Sequence, residues 1–218
     1  MWGVVPLHQL NRSDKYKAVG RPMKLAIPYV PDLWKQGELV IPIELPENLR
    51  TDEFYLGDFG LAMRAGDPIA QRGFPPSSFC SPDRYHGKHP SFACDMWSYM
   101  VIFAELYLGY TPFVSAFRGG IMNGLVMSLG PLPEEWKGLY SKPSERHDSW
   151  YDQQTVPDPK FNLASRIERF RPDIDQAERE LVYSIMKKVF IYHPEERLTA
   201  TQLLQDPSFN AILEKYGC

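Results

Sequence analysis

The stretch Phe54–Met63, FYLGDFGLAM, carries the strongest structural signal in the chain. Its first four residues, Phe54–Gly57, are mostly apolar and predict a short strand. Asp58 follows directly, so its carboxylate is expected at the end of that strand. Gly60 is expected to let the following loop turn sharply beside it. Because Mg²⁺ prefers hard oxygen ligands, the stretch predicts a metal-binding carboxylate at Asp58.

The composition is that of a globular protein of one domain, with or without a decorated loop. The chain has 218 residues, of which 44% are apolar and 23% charged. The formal net charge is −3 and no run of Lys and Arg marks a nucleic-acid surface. The longest apolar stretch, residues 96–110, contains Glu105 and is too short to span a bilayer, so no membrane partner is expected.

The cysteines predict a reducing compartment. Cys80, Cys94 and Cys218 form neither a CxxC pair nor an even disulfide framework, and no signal peptide is visible at the start of the sequence. Free thiols of this kind favour the cytoplasm or the nucleus.

The first quarter of the chain is rich in proline and has few periodic apolar patterns. Residues 1–52 contain six prolines, at positions 6, 22, 28, 31, 42 and 46. Because proline lacks a backbone N–H, this part is predicted to be an irregular insertion. Met1–Val5 is a candidate strand, and Asp32–Gly37 a candidate helical turn. The sequence thus predicts two parts, residues 1–53 and residues 54–218.

The second part is predicted to be mainly α-helical, with a helical bundle over residues 91–215. The predicted helices are a central buried helix at Ser91–Gly109, a glycine-diluted helix at Gly119–Gly130, an amphipathic helix at Asp175–Phe190, and a last helix that begins at Thr199. Asp175 with Glu178, and Thr199 with Gln202, have the spacing of N-terminal capping boxes.

Several short motifs follow one another along the chain, and their order is informative about the family. Asp58-Phe59-Gly60 comes first, then Ser81-Pro82-Asp83, then Asp95 and Trp97 inside the central helix, and finally Arg197 before the last helix. This succession resembles the C-terminal lobe of a eukaryotic protein kinase, with residues 58–83 as its activation segment.

The resemblance assigns roles to these residues. It implies that Asp58 is a catalytic residue that binds Mg²⁺, and that Phe59 and Gly60 belong to the same cofactor-binding segment. It also implies an ion pair between Asp83 and Arg197, although Asp83 is one methylene shorter than the usual Glu. Asp95 and Trp97 take structural roles, and in the family the buried Asp95 bonds to the backbone of the catalytic loop.

A second motif indicates which group of protein kinases the chain resembles. Ser128–Trp136, SLGPLPEEW, is similar to a turn of the CMGC kinases, the group that holds the SR-protein kinases. Those kinases also carry a long insert before Asp-Phe-Gly, which fits residues 6–52. One position departs from the pattern, because Cys80 stands where CMGC kinases usually have arginine. Ser77, Ser78 and Ser81 are candidate phosphorylation sites.

The catalytic loop has two alternative placements. The motifs G-x-G-x-x-G, V-A-I-K and H-R-D are absent from the chain. In one interpretation Ile41–Asn48 is a degraded catalytic loop and Asn48 is the second metal ligand. In the other, Met1–Val5 follows the catalytic loop and pairs with Phe54–Gly57 across the proline-rich insertion. The length needed for two strands and a turn favours the second.

The functional expectations follow from the resemblance and from the missing motifs. The family uses ATP and Mg²⁺ to phosphorylate Ser or Thr of a protein substrate. Without a catalytic base the chain alone is expected to be inactive, as a truncated or remnant C-lobe. The alternative is a pseudokinase that serves as a scaffold or decoy for a protein partner, and the surface left by the missing N-lobe is expected to promote association.

A zinc site is a further alternative. Cys80, His86, His89 and Cys94 have suitable side chains and lie close together in the sequence.

Overall fold

The computed structural model describes residues 2–26, 38–64, 75–113, 120–140 and 157–217. They belong to two compact units, Met1–Ala62 and Met63–Cys218. The boundary predicted at residues 53 and 54 falls inside a strand of the first unit. That strand pairs with the beginning of the chain and therefore stays with the first unit.

The described residues of the first unit form two antiparallel ribbons and one α-helix. Strand β1 (Trp2–Val4) pairs with β4 (Arg50–Phe54), and β2 (Lys24–Ala26) pairs with β3 (Glu38–Val40). In the β1–β4 ribbon Trp2 lies opposite Phe54, and the register is irregular between Trp2 and Val4. In the sequence, helix α1 (Arg12–Val19) follows β1 and precedes β2.

The β1–β4 ribbon supports the interpretation in which the start of the chain pairs with the segment before Asp58. The strand itself is displaced from its predicted position, because it occupies residues 50–54 and not Phe54–Gly57. Trp2 already pairs with Phe54, so the residues after Phe54 have no paired strand in the described part of the chain. The prediction of a strand at Phe54–Gly57 was therefore wrong.

Helix α1 lies within the predicted irregular insertion. The Asn11 side chain accepts a hydrogen bond from the Asp14 backbone N–H at 3.0 Å, and Gly20 ends the helix at φ 81°. None of its residues is buried, so the sequence carries no apolar period that could indicate it. The predicted turn at Asp32–Gly37 lies outside the described residues.

The second unit contains the other seven described helices. They are α2 (Pro82–Tyr85), α3 (Phe92–Leu108), α4 (Gly120–Leu129), α5 (Leu163–Phe170), α6 (Gln176–Val189), α7 (Ala200–Leu204) and α8 (Pro207–Tyr216). Helix α6 packs against α3, α5 and α8. The mainly helical fold with a short hairpin, like the C-terminal lobe of a protein kinase, is confirmed.

The four predicted helices are present, and of the two predicted capping boxes the one at Thr199 is complete, whereas at Asp175 only the N-cap half forms because the Glu178 carboxylate pairs with Lys215. The Asp175 side chain accepts the Glu178 backbone N–H at 2.8 Å, and Thr199 and Gln202 form a complete capping box. The last helix is in fact two, because α7 ends at Leu204 and Asp206 caps the separate helix α8. Helix α5 was not predicted, although the sequence contains its N-cap residue. The Asn162 side chain accepts a hydrogen bond from the Ser165 backbone N–H.

The core of the second unit lies between α3 and α6. The buried face of α3 consists of Met96, Trp97, Met100, Val101, Ala104 and Leu108. At one end Trp97 stacks on Phe113 at 5.5 Å between ring centroids, and Phe190 meets Trp97 edge-on at 5.1 Å.

Helix α3 was predicted to be buried on nearly every face, and this was wrong. Phe92 is 75% exposed and Leu106 82% exposed, and Tyr99 and Ile102 are exposed between them. These four side chains follow one another at intervals of seven, three and four residues and therefore share one side of the helix. No helix among the described residues has both the length and the apolar character needed to cross a membrane.

Candidate functional site

Asp58 occupies a distinctive position in the first unit. It precedes a 3₁₀ turn at Phe59–Leu61 and has φ 60° and ψ 60°, in the left-handed region. Among the described residues it is the only non-glycine with a positive φ. Aspartate tolerates this conformation better than most residues, and such backbone geometry often occurs at functional sites.

The sharp turn belongs to Asp58 and not to Gly60, contrary to the expectation from the sequence. The φ of Gly60 lies outside the left-handed region. Its Cα faces the Asp58 carboxylate, because a Cβ at position 60 would lie 3.6 Å from Asp58 Oδ1. The two residues therefore form one compact turn.

The surroundings of Asp58 are open and apolar. Phe59 is 64% exposed, and Tyr55, Leu56 and Leu61 are exposed as well. No three His, Cys, Asp or Glu side chains lie close enough to hold a metal ion in the described part of the chain. The single carboxylate suits a Mg²⁺ that is bound mainly by water and phosphate oxygens, and it does not suit an all-protein metal cage.

Asn48, the metal ligand of the alternative interpretation, lies in a 3₁₀ turn at Glu47–Leu49 and is exposed. Because β1 pairs with β4, the strand pairing favours the other interpretation.

The ion pair between Asp83 and Arg197 is present in the second unit. The Arg197 Nη2 donates to Asp83 Oδ1, and both side chains are fully buried. Asp83 lies on α2, and Arg197 follows the 3₁₀ turn Pro194–Glu196. The pair connects two segments that are 114 residues apart in the sequence. The shorter aspartate thus reaches the arginine.

Backbone oxygens complete the environment of Arg197. Its Nε donates to the Ile191 oxygen at 2.7 Å, Nη1 to the Ala93 oxygen at 3.1 Å, and Nη2 to the Tyr192 oxygen at 2.8 Å. The guanidinium carbon lies 5.0 Å from the centroid of the Trp97 ring. Trp97 therefore packs against the arginine of the ion pair as well as against the core.

Sequence reasoning missed a second donor to Asp83. The Cys94 Sγ donates to Asp83 Oδ2 at 3.4 Å. No sequence pattern indicates this contact, because it joins α2 to the first turn of α3 and the sequence does not specify how these two helices meet. The neighbouring Cys80 thiol is buried, and burial raises its pKa to about 12. The described cysteines are both free thiols.

Asp95 differs from its expected position. It was expected to be a buried carboxylate and is exposed on α3, on the side of the helix that carries Phe92 and Tyr99. The adjacent protein still removes enough water to raise its pKa.

The three candidate phosphorylation sites differ in accessibility. Ser77 is exposed and Ser78 half-buried. Ser81 is only 1% exposed, and its hydroxyl has no hydrogen-bond partner. Ser81 is therefore shielded from any enzyme while the unit is folded.

The zinc alternative is not supported. His86 Nδ1 lies 2.7 Å from the Pro82 oxygen, and its ring stacks on Trp136 at 4.8 Å between centroids. Cys94 bonds to Asp83. Both side chains are thus used elsewhere, and the described residues include no metal-binding cluster.

Known proteins resemble this chain over most of its length. The profile of the protein kinase domain matches residues 46–209. The dual specificity protein kinase CLK1 of Mus musculus is 30% identical over 53% of this chain and 24% of its own length. The dual specificity protein kinase lkh1 of Schizosaccharomyces pombe is 26% identical over 74% of this chain and 24% of its own length.

Glycogen synthase kinase 3 of Trypanosoma brucei brucei is 27% identical over 76% of this chain and 44% of its own length. The chain thus spans about a quarter of the first two relatives and less than half of the third. These relatives are CMGC-type kinases, in agreement with the motif at Ser128–Trp136.

The profile covers the triplets around Asp58 and Asp83 as well as Arg197, and most of the chain lies inside the match. The chain therefore belongs to the protein kinase domain family, and its similarity is to kinases of the CMGC type.

Proposed function

We propose that the chain is a Ser/Thr kinase-like C-lobe that does not transfer phosphate by itself. The observation that carries the proposal is the isolation of Asp58. Its carboxylate is exposed and shares no metal-binding cluster with other described residues. Phosphoryl transfer needs a held nucleotide, an oriented hydroxyl and a base as well as this carboxylate. The motifs for these parts are absent from the 218 residues.

Asp58 is the residue that would hold Mg²⁺, with Phe59 and Gly60 as the adjacent cofactor-binding segment. The metal would neutralise the phosphate charge of ATP. The chain contributes the exposed Asp58 carboxylate, at a residue with left-handed backbone geometry. Because one carboxylate gives only weak binding, ATP is expected to bind poorly to this chain. The cysteine pattern favours the cytoplasm or the nucleus as the compartment of the protein.

A phosphorylation assay tests this function. The purified chain is incubated with Mg²⁺, radiolabelled ATP and a basic protein substrate, and the Asp58→Ala variant is the matched control. We expect both proteins to give only background labelling. Labelling by the parent chain that Asp58→Ala abolishes would show that the chain is an active kinase and would refute the proposal.

The exposed face of α3 favours a second candidate function, a non-catalytic scaffold or decoy. Phe92, Tyr99, Ile102 and Leu106 form an apolar stripe along this helix. Such stripes commonly mark protein-binding surfaces. Pull-down with CMGC kinase partners, in the presence and absence of ATP, tests this function. Capture that is independent of ATP and is lost in Ile102→Asp supports it, whereas capture unaffected by this change rejects it.

A further inference from the structure

A cavity of about 460 Å³ lies in the second unit, apart from the residues assigned to the kinase-like function. Its size is within the range of clefts that bind small molecules. The motif at Ser128–Trp136 supplies one wall, the beginning of α5 a second, and the end of α6 with the residues after it a third. The apolar lining residues are Leu129, Pro131, Pro133, Leu163, Phe190 and Ile191.

The walls of this cavity are fixed by local structure. The Tyr192 hydroxyl donates to the Gly130 oxygen at 2.8 Å, which ties the segment after α6 to the turn after α4. Pro131 and Pro133 restrict the backbone of the same turn. Phe190 is buried and Pro131 is exposed, so the cavity reaches from the core to the surface. A preformed cavity needs little ordering when a ligand binds, which favours affinity.

Lys187 gives the cavity a positive charge. It lines the cavity, is exposed and forms no ion pair with any described residue. Its Nζ lies 5.9 Å from the centroid of the Tyr183 ring, which lines the cavity one turn earlier on α6. An anionic group of a ligand therefore reaches Lys187 without displacing a carboxylate of the described chain.

A second charged region surrounds His193, which also lines the cavity. The Glu135 carboxylate lies 3.6 Å from His193 Nε2, and the Glu195 carboxylate lies 3.7 Å from Nδ1. Two carboxylates repel an anion, so the anionic group of a ligand is directed to Lys187 and away from His193.

The other polar side chains of the lining are largely engaged. The Asn162 oxygen accepts the Ser165 N–H at 2.8 Å, and the Tyr192 hydroxyl binds Gly130. The Ser128 hydroxyl is closed to solvent. A bound peptide brings several backbone amides that need partners. A ligand with a single polar group does not have this requirement, so it suits the cavity better.

We propose that this cavity binds an aliphatic carboxylate, which is an apolar chain with one anionic head group. The chain lies against Leu129, Leu163 and Phe190, and the head group pairs with Lys187. Burial of the chain supplies most of the affinity, and the ion pair selects an anion over a neutral head group. The site does not include Asp58 and does not rest on the proposed kinase-like function.

Decanoate, 1-decanol and decylammonium are the probes, because they share one apolar chain and differ in the charge of the head group. Each is titrated into the full chain below its micelle concentration, and binding is measured by calorimetry. We expect decanoate to bind about fivefold more tightly than 1-decanol, and decylammonium to bind more weakly than both. Octanoate lacks two CH₂ groups and should bind roughly tenfold more weakly than decanoate.

Lys187→Gln tests the contact of the head group. We expect this variant to bind decanoate no better than 1-decanol, with its affinity for 1-decanol unchanged from that of the parent chain. Lys137→Gln is the matched control, because Lys137 is exposed and does not line the cavity. It should keep the preference for decanoate. The proposal fails if decanoate does not bind, or if Lys187→Gln prefers decanoate as strongly as the parent chain does.

Isoleucine methyl signals in nuclear magnetic resonance spectra locate the ligand. Ile191 lines the cavity, whereas Ile102 belongs to the exposed stripe of α3. Ile191→Val and Ile102→Val assign the two signals. We expect decanoate to shift the Ile191 signal and to leave the Ile102 signal unchanged. A shift of the Ile102 signal alone places decanoate on the stripe and overturns the proposal.

A peptide of alternating leucine and glutamate tests the competing occupant. We expect it to leave the Ile191 signal unchanged at concentrations at which decanoate shifts it. If the peptide shifts this signal and decanoate does not, the cavity is a protein-binding groove and the proposal is wrong.

Discussion

At the scale of single residues, Arg197 is the most heavily engaged cation described above. It uses four hydrogen bonds, one to Asp83 and three to backbone oxygens. Arginine has five N–H donors, so its donor capacity is nearly exhausted. Breaking such a pair leaves a buried charge without compensation, which costs more than the pair itself contributes.

Replacing Asp83 tests this directly. Among the described residues Asp83 is the only carboxylate that pairs with the buried Arg197 guanidinium, so we expect Asp83→Ala to lower the free energy of unfolding by about 3–5 kcal/mol. Urea unfolding followed by circular dichroism measures the change. Glu168→Ala breaks the more exposed pair with Arg179 and should have a far smaller effect. A similar loss in both variants would contradict the assigned importance of the buried pair.

Gly3 and Gly60 differ in the space that is available for a side chain. A Cβ at Gly3 would lie 2.1 Å from Thr51 Oγ1, whereas a Cβ at Gly60 would meet nothing closer than 3.6 Å. Gly3→Ala should therefore loosen the β1–β4 ribbon, and Gly60→Ala should leave it intact. Hydrogen exchange of the residue 50–54 amides, followed by mass spectrometry, measures this. Equal protection in the two variants would contradict the geometry.

The reactivity of Cys80 is a third expectation. Burial raises its pKa to about 12, so almost no thiolate is present at pH 8. Iodoacetamide should leave Cys80 unmodified in the folded chain and modify it after denaturation. Peptide mass spectrometry locates the label. Equal labelling rates in the two states would show that Cys80 is accessible.

Some contacts of these residues could be predicted from the sequence and others could not. The Asp83–Arg197 pair could be predicted because its motifs recur in one family at fixed places in the chain order. The hydrogen bond of the Cys94 thiol could not be predicted, since it depends on how α3 meets α2. The burial of Arg166 could not be predicted either, because the burial of a charge is visible only after packing.

At the scale of elements, caps were the most reliable signals in the sequence. The capping box of α7 and the Asp175 cap of α6 formed as their spacing predicts. The strand before Asp58 was predicted a few residues too late in the sequence, because an apolar run of four residues does not determine which residues pair with a neighbouring strand. Helix α1 was missed because it has no buried face.

The capping box of α7 gives an element-scale prediction. Thr199→Ala removes the side chain that accepts the Gln202 N–H, so we expect a loss of about 1 kcal/mol in the free energy of unfolding. Thr201→Ala lies in the same helix and is the control, since alanine is the better helix former there. Chemical denaturation of both variants measures the effect, and an unchanged stability of Thr199→Ala would exclude a role for the cap.

At the scale of the whole molecule, the helical class of the chain could be predicted and the exposure of α3 could not. Apolar residues around the full circumference of a helix favour burial, but they do not specify what covers each side. The face with Phe92 and Leu106 has no cover among the described residues.

The acid stability of the second unit depends on a buried carboxylate. Burial acts to raise the pKa of Glu178, but hydrogen bonds from Lys215, Tyr107 and Tyr216 outweigh it, and the net pKa is lowered. A lowered pKa in the folded state means that Glu178 stabilises the fold above its unfolded pKa of about 4.3. This stabilisation is lost as the pH falls through the folded pKa.

Glu178→Gln should therefore lower the free energy of unfolding at pH 7 more than at pH 3. Urea unfolding at both pH values measures the two differences. Glu180→Gln lies on the same helix with an exposed side chain and is the control. A deficit in Glu178→Gln that does not shrink on acidification would contradict the role of this carboxylate.

The separation of Asp83 from Arg197 also has a consequence for the time course of synthesis. A ribosome that adds about 5–20 residues per second makes Arg197 roughly 6–23 seconds after Asp83, because 114 residues separate them. During that interval Asp83 lacks its arginine partner, and the second unit in which Ser81 is buried is incomplete. An enzyme that modifies Ser81 therefore has its opportunity on the growing chain, before this unit has folded.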